Sequence, residues 1–252
     1  ILADFVRPAT RVPRGVLIGI AGGVKLTPLV FGLILLVRRD WKGIATLGAT
    51  FFGTIALGFI LMPKDALEFW FSALTNPSRV GGLNFVDNVS IQGWLLHFGL
   101  SESAAKPVYY ALALVTIVLT AALLYQLERR GAALAQVAVT ASLMVALSPI
   151  SWSHHNTWYP LMLAAVVMEI FPLMYHRVSS FVFTLAVILA TAALVGMYIS
   201  PFWIVLAFSP HFNADQILMV PEGSLGLMAG TMPYQLMYLF ILVTFFVYLA
   251  NR

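Results

Sequence analysis

The sequence predicts an all-α, polytopic membrane helix bundle, and three observations carry the prediction. Hydrophobic residues make up 61% of the chain against 10% charged, with a mean hydropathy of +0.92, far from soluble-domain averages. Apolar runs at residues 44–62, 108–126, 134–147, 159–175, 181–200 and 234–250 each approach the roughly 20 residues that cross hydrocarbon. The basic residues gather at the ends of these runs, as orientation signals do. About six spanning helices follow, in a single transmembrane domain over residues 1–252 with residues 63–106 as an external loop.

The same composition sets aside other classes. A formal charge of +4 could invite nucleic acid as a partner, but short basic clusters flanking apolar runs report topology, so no nucleic-acid partner is expected. The chain has no cysteine, which removes disulfides and thiolate metal sites. It begins at Ile1, and its first segment is polar and Arg-bearing rather than a signal sequence. A fragment lacking amino-terminal helices is the expectation.

Arg38, Arg39 and Lys42 mark one loop, Glu128, Arg129 and Arg130 a second, His176 and Arg177 a third, and Arg252 closes the chain. The positive-inside rule makes their shared side cytoplasmic and puts 63–106, 149–158 and 201–233 outside. The run 15–37 breaks the pattern, because Arg7, Arg11 and Arg14 precede it and Arg38 and Arg39 follow. Two readings stand. One is a re-entrant hairpin of half-helices 15–24 and 28–37, bent at Gly22, Gly23 and Pro28, with Lys25 near mid-membrane; the other is one kinked span.

In the external loop, Leu67, Phe69, Trp70, Phe71 and Leu74 accompany Lys64, Asp65 and Glu68, while Ile91, Trp94, Leu95 and Phe98 recur at helical spacing. Two short amphipathic interfacial helices are predicted, the second capped by Asn88 or Ser90. The turn-rich link Asn76-Pro77-Ser78-Arg79-Val80-Gly81-Gly82 carries Arg79 over the outer leaflet, to bind a ligand phosphate or to anchor on ambient headgroups.

Charge inside a bilayer survives only where protein or water solvates it, so Lys25, Arg79 and the imidazoles of Ser148-Pro149-Ile150-Ser151-Trp152-Ser153-His154-His155 mark a site for an anion, read as a lipid-borne phosphate. A helix ends near Pro149 and another opens at His154 and His155, offering unpaired amides to the same anion. Adjacent histidines lie about 100 degrees apart on a helix, so one faces the ligand and the other orients or packs. Interfacial packing beside Trp152 and Trp158 is the bland alternative. No metal site is expected, since i, i+4 spacing and a completing carboxylate are both missing. Glu169 either neutralises Lys25 or snorkels.

These residues carry a resemblance. Gly15 to Phe31 around Gly22-Gly23-Val24-Lys25-Leu26-Thr27-Pro28, the following Arg38-Arg39, then Asn76-Pro77-Ser78-Arg79-Val80-Gly81, Asn88-Val89-Ser90-Ile91-Gln92-Gly93 and Ser148 to His155 together resemble glycosyltransferase family 87. The resemblance covers about residues 15–160, and several spaced motifs in order are more specific than any one. It implies a C-type membrane glycosyltransferase fold and transfer of mannose from a polyprenyl-phosphate-mannose donor to a glycolipid or glycan acceptor, inverting, at the extracytoplasmic face of the plasma membrane. Membrane lipids are the further partners, and no cofactor is implied. Arg79, Lys25, His154 and His155 would hold the departing phosphate, with His154 and His155 also the catalytic candidates. Asn88, Ser90, Gln92, Ser151 and Trp152 would contact the sugar, and Trp94 would line the lipid path. The general base is expected in a first external loop that this chain does not contain. His97 stands where a stronger base is expected, so any phosphate contact there should weaken as pH rises. A multi-pass transporter or flippase subunit for an anionic or lipid-phosphate substrate is the rival, since broken helices around an intramembrane lysine suit it equally.

Overall fold

The computed structural model describes residues 4–5, 12–75, 81–85 and 87–199. Among these every regular element is helical. The last predicted run, 234–250, lies outside the described residues, as do Arg79 and Arg252.

Arg14 and Asp40 bracket the first unit. Helix α1 (Val16–Val24) ends at Lys25, whose extended backbone breaks the helix, and a 3-10 turn (Thr27–Phe31) leads into α2 (Gly32–Val37). Pro28 at the start of the turn supplies no amide to continue α1. α3 (Trp41–Leu61) follows, capped by Asp40, whose Oδ1 accepts from Gly43 N at 2.9 Å. That bond, joined by the Arg14 guanidinium, holds the Asp40 carboxyl below its ordinary pKa.

α1 runs alongside α3 in the same direction: Gly15 meets Gly43, Gly19 meets Leu47 and Gly23 meets Thr54. At Gly19 an added Cβ would lie 2.7 Å from the Leu47 carbonyl oxygen, so this face must be small for the backbones to approach. The chain then doubles back, with Gly22 against Leu29, and returns to its starting end, where Arg14 Nη1 donates to Asp40 Oδ2 at 3.0 Å.

α4 (Pro63–Phe71) leaves α3 at once and buries none of its residues. α5 (Ile91–His97) forms where its apolar spacing places it, capped by Ser90 Oγ accepting from Gly93 N at 3.0 Å. Six of its seven residues are buried, packed against the two helices that follow. α6 (Glu102–Glu128), capped by Ser101, and α7 (Ala133–Leu147) are antiparallel neighbours joined by a tight turn at Gly131. α7 is the central helix, buried from Ala135 through Ala146. The chain returns through a 3-10 turn (Ser153–Trp158), α8 (Tyr159–Ala165), a π turn (Val166–Ile170) and α9 (Phe171–Tyr175), then rises in α10 (Ser180–Tyr198).

Among the described residues three helices, α3, α6 and α10, are long and apolar enough to cross a membrane; α3 at 21 residues would reach about 31 Å at 1.5 Å per residue. The runs 134–147 and 159–175 form shorter apolar helices. Length alone supports three of the five expected spans that the described residues cover, because Pro149 and Gly131 bound α7 tightly and the π turn interrupts the return helix.

The two ends of this bundle differ in what they carry. At one end Arg38 Nε donates to Glu128 Oε2 at 2.9 Å, Arg38 Nη2 to Gln136 Oε1 at 3.1 Å, and Gln136 Nε2 to Glu128 Oε2 at 2.8 Å. The first two basic clusters therefore share an end, as their spacing predicts. Glu169 caps α7 there, its oxygens accepting from Leu134 N at 3.2 Å and Ala135 N at 2.7 Å. Neither role weighed for Glu169 is the observed one. The carboxylate sits on the amino-terminal amides of a buried helix, where the dipole favours negative charge.

Candidate functional site

The opposite end brings the broken segment of α1 to the loop that follows α7. Lys25 sits at the break, and Phe31, fully buried, packs its ring 5.5 Å from that of Trp158. This contact sets the 3-10 turn 153–158 beside Lys25. Lys25 Nζ lies 2.9 Å from His155 Nε2.

With Lys25 as an ammonium, the contact calls for one tautomer of that imidazole. An ammonium only donates, so Nε2 accepts from Lys25 and the ring proton resides on Nδ1. His155 Nδ1 lies 3.0 Å from both the carbonyl oxygen and the amide nitrogen of Trp152. With Nδ1 protonated, the bond is the one it donates to the Trp152 carbonyl. Among the described residues the ion pairs are Arg14–Asp40 and Arg38–Glu128, and Lys25 belongs to neither. The cation therefore rests on a neutral imidazole while remaining exposed, an arrangement able to receive an anion.

Trp152 is clasped between Gly81 and Phe85. An added Cβ at Gly81 would lie 3.0 Å from Trp152 Cζ2, and the Phe85 ring meets the indole edge-on with centroids 6.1 Å apart. Gly81 closes the motif that contains Arg79, so the end of that motif is pinned to the His155 loop.

Asn88, Ser90 and Ser151, expected to face sugar, are turned inward, with exposures of 0%, 0% and 1%. Asn88 Nδ2 donates to Leu83 O at 2.7 Å and Pro149 O at 3.0 Å, while its Oδ1 accepts from Ser90 N at 3.2 Å and Ser151 N at 3.0 Å. Ser90 Oγ donates to Pro149 O at 3.1 Å as well as capping α5, and Ser151 Oγ donates to Val145 O at 2.7 Å. The cause is the loop itself: a chain reversal after α7 leaves backbone carbonyls and amides inside protein, and these short side chains satisfy them. Gln92 is also buried, on α5. The side chain of His154 and all of Arg79 lie outside what is described.

His97 is 1% exposed, with Nε2 3.2 Å from Phe85 O and Nδ1 without a hydrogen-bond partner among the described residues. Burial pushes its pKa below the ordinary histidine value, against smaller opposing effects of the backbone carbonyls of Phe85 and Asn84. His97 is thus a neutral core imidazole. Its place in the core, beneath Phe85, rules out the pH-sensitive phosphate grip considered from sequence.

Sequence reasoning singled out Lys25 and His155 without linking them to each other, and the structure puts the two in contact. It missed the Tyr109 hydroxyl, which donates to the Leu147 carbonyl at the last turn of α7. It also missed Glu169 as a cap. A signal for Glu169 existed, since α7 opens at Ala132 without a capping side chain of its own.

Fold and site together define a membrane protein, all-helical over its described residues, with a lysine–histidine pair at one end of its bundle. Its family is glycosyltransferase family 87, whose description matches residues 1–149, more than half of the chain. A polyprenol-phosphate-mannose-dependent alpha-(1-2)-phosphatidylinositol mannoside mannosyltransferase of Mycobacterium tuberculosis is 31% identical over 168 residues, covering 67% of this chain and 39% of the relative. A protein of the same description from Mycolicibacterium smegmatis is 34% identical over 176 residues, covering 67% and 40%. A polyprenol-phosphate-mannose-dependent alpha-(1-2)-phosphatidylinositol pentamannoside mannosyltransferase of Mycolicibacterium smegmatis is 33% identical over 154 residues, covering 59% and 37%. The chain spans about two fifths of the length of the curated relatives it matches. No solved structure matches it.

Proposed function

We propose that this chain supplies the donor-phosphate half of a polyprenyl-phosphate-mannose-dependent mannosyltransferase, working at the extracytoplasmic face of the plasma membrane. The observation that carries the reading is the 2.9 Å contact between Lys25 Nζ and His155 Nε2, a cation held ready by a neutral group. The names of the relatives point to a phosphatidylinositol mannoside, a mannosylated glycolipid, as acceptor.

In the reaction the acceptor oxygen attacks the anomeric carbon of mannose, and the bond from that carbon to the phosphate oxygen breaks with its electron pair going to phosphate. The configuration inverts, and the acceptor proton passes to a general base. Lys25 stabilises the charge growing on the departing polyprenyl phosphate, and His155, released by Lys25, exchanges its ring proton so that Nδ1 accepts from the Trp152 amide and Nε2–H donates to the phosphate. Arg79 and His154 complete the cationic set. Trp152, on the same loop, stacks on the sugar, with Gln92 a polar contact. Asn88, Ser90 and Ser151 form the supporting floor.

The return of the chain from Arg14 to Asp40 favours the re-entrant reading of the first unit: both basic ends stay cytoplasmic and Lys25 projects from within. Alongside α3, Gly23 reaches the level of Thr54, short of the far end of that helix. Residues 63–106 then lie outside, with α4 on the membrane surface.

The test uses the natural protein in membranes, with polyprenyl-phosphate-mannose and a phosphatidylinositol mannoside. Lys25→Met should lower kcat about 100-fold, the scale of removing one preorganised charge contact from a transition state. Wild-type turnover in Lys25→Met and His155→Ala alike would overturn the phosphate-site reading.

A further inference from the structure

Asn88 is the best-bonded side chain near the site, and its bonds converge on one peptide. Its Oδ1 accepts from Ser151 N at 3.0 Å, and the next residue's amide, Val89 N, donates to Ser151 O at 2.8 Å. Both polar groups of Ser151 are thereby clamped from the far loop. The residue after Ser151 is Trp152, whose own amide and carbonyl both lie 3.0 Å from His155 Nδ1. The other face of that ring meets Lys25 at 2.9 Å. An unbroken run of short contacts thus leads from Asn88, through the backbone of Ser151 and Trp152, to the imidazole and the cation.

We propose that Asn88 is the positioning residue of the phosphate site, fixing the Ser151–Trp152 backbone that orients His155 toward Lys25 rather than touching the mannosyl group. The inference rests on the phosphate-site reading above and adds a part to it. Asparagine suits the place because it alone, at this length, offers two donors and an accepting oxygen. Its Nδ2 serves Leu83 O and Pro149 O while Oδ1 serves Ser90 N and Ser151 N. Aspartate would set a negative oxygen against two carbonyls. Glutamine would not fit, since an added Cβ at Gly93 would already lie 2.6 Å from Asn88 Cγ. With 0% exposure, Asn88 has no surface to give a sugar.

The experiment uses the natural protein, with sugar-free polyprenyl phosphate as the binding probe and polyprenyl-phosphate-mannose as donor. Asn88→Asp, and Asn88→Ser where the first folds poorly, should weaken polyprenyl phosphate binding of the folded fraction about tenfold. They should lower kcat more than they raise the donor KM. In a His155→Ala background the same change should have no further effect on binding, because the two act through one path. Unchanged polyprenyl phosphate affinity with a raised donor KM would mean a direct sugar contact and overturn the proposal. A reduced folded yield with normal affinity and kcat would overturn it as well, leaving Asn88 a purely structural residue. If Lys25→Met and His155→Ala themselves left phosphate binding intact, the underlying reading would fall first; if they weakened it while the Asn88 variants did not, this inference alone would fall.

Discussion

The two ends of the helical bundle treat charge in opposite ways. At the end with the first basic clusters, Arg38 bonds a carboxylate and an amide, Arg14 bonds the Asp40 cap, and Glu169 sits on the amides of α7. Arg38, Arg14 and Glu169 each meet a complementary charge or dipole there. At the other end the polar groups are equally close, yet among the described residues Lys25 meets only the lone pair of an imidazole. A satisfied charge holds helices together; a cation on a neutral partner keeps most of its electrostatic reach. The contrast separates architecture from the proposed phosphate site.

The largest effect expected from this contrast is a double dissociation between Lys25 and Arg38. Lys25→Met should leave thermal stability near wild type while removing most turnover. Arg38→Met should do the reverse, because it strands the Glu128 carboxylate and the Gln136 amide. Arg38 is 13% exposed and Glu128 39%, so the half-solvated pair should cost about 1–2 kcal/mol of stability. Activity per folded molecule should hold. Thermal unfolding in detergent, read beside turnover, checks both, and an equal loss of activity in the two variants would erase the distinction between the ends.

A smaller effect belongs to Glu169. Glu169→Gln keeps one acceptor but removes the charge from the amino terminus of α7, and should cost about 1 kcal/mol, the usual scale of a cap or dipole interaction. The far end of α7 carries the loop of His155, so the same measurement asks whether the two ends are coupled. A change in polyprenyl phosphate affinity greater than about threefold would show that they are.

What could be read in the sequence follows from the length scale of the forces involved. The helices expected at 44–62, 108–126 and 181–200 were legible because hydropathy sums over twenty residues, and the cap at Ser90 because capping is local; the Asp40 cap is equally local and was not read. The polar residues of the site were legible as outliers in grease. Their roles were not, because Asn88 and Ser151 look alike as sugar ligands or as backbone clamps until the two loops are in register, and that register is tertiary. The contact of Lys25 with His155 spans 130 positions, and no local pattern encodes it. Glu169 was misjudged for the same reason, since its partner amides begin another helix 34 residues away.

The smallest effect sharpens the comparison from inside the site end, where His97 is a second imidazole with a different fate. His155 meets a cation at an exposed position, whereas His97 is held neutral in the core by burial. A histidine whose folded pKa lies below its unfolded value of about 6.5 binds a proton more readily once the chain unfolds, so stability rises with pH across that window. The contribution is fully present above the unfolded value and is lost as pH falls toward and below the folded one. The melting temperature should therefore fall as pH is lowered from 7.5 to 5.5, roughly the interval around that value. In His97→Gln the slope should flatten, since an amide has no proton to gain, while the altered shape lowers the baseline stability. A wild-type melting temperature that is flat over this interval, or a slope that survives in His97→Gln, would show that the buried imidazole is not what acid finds first.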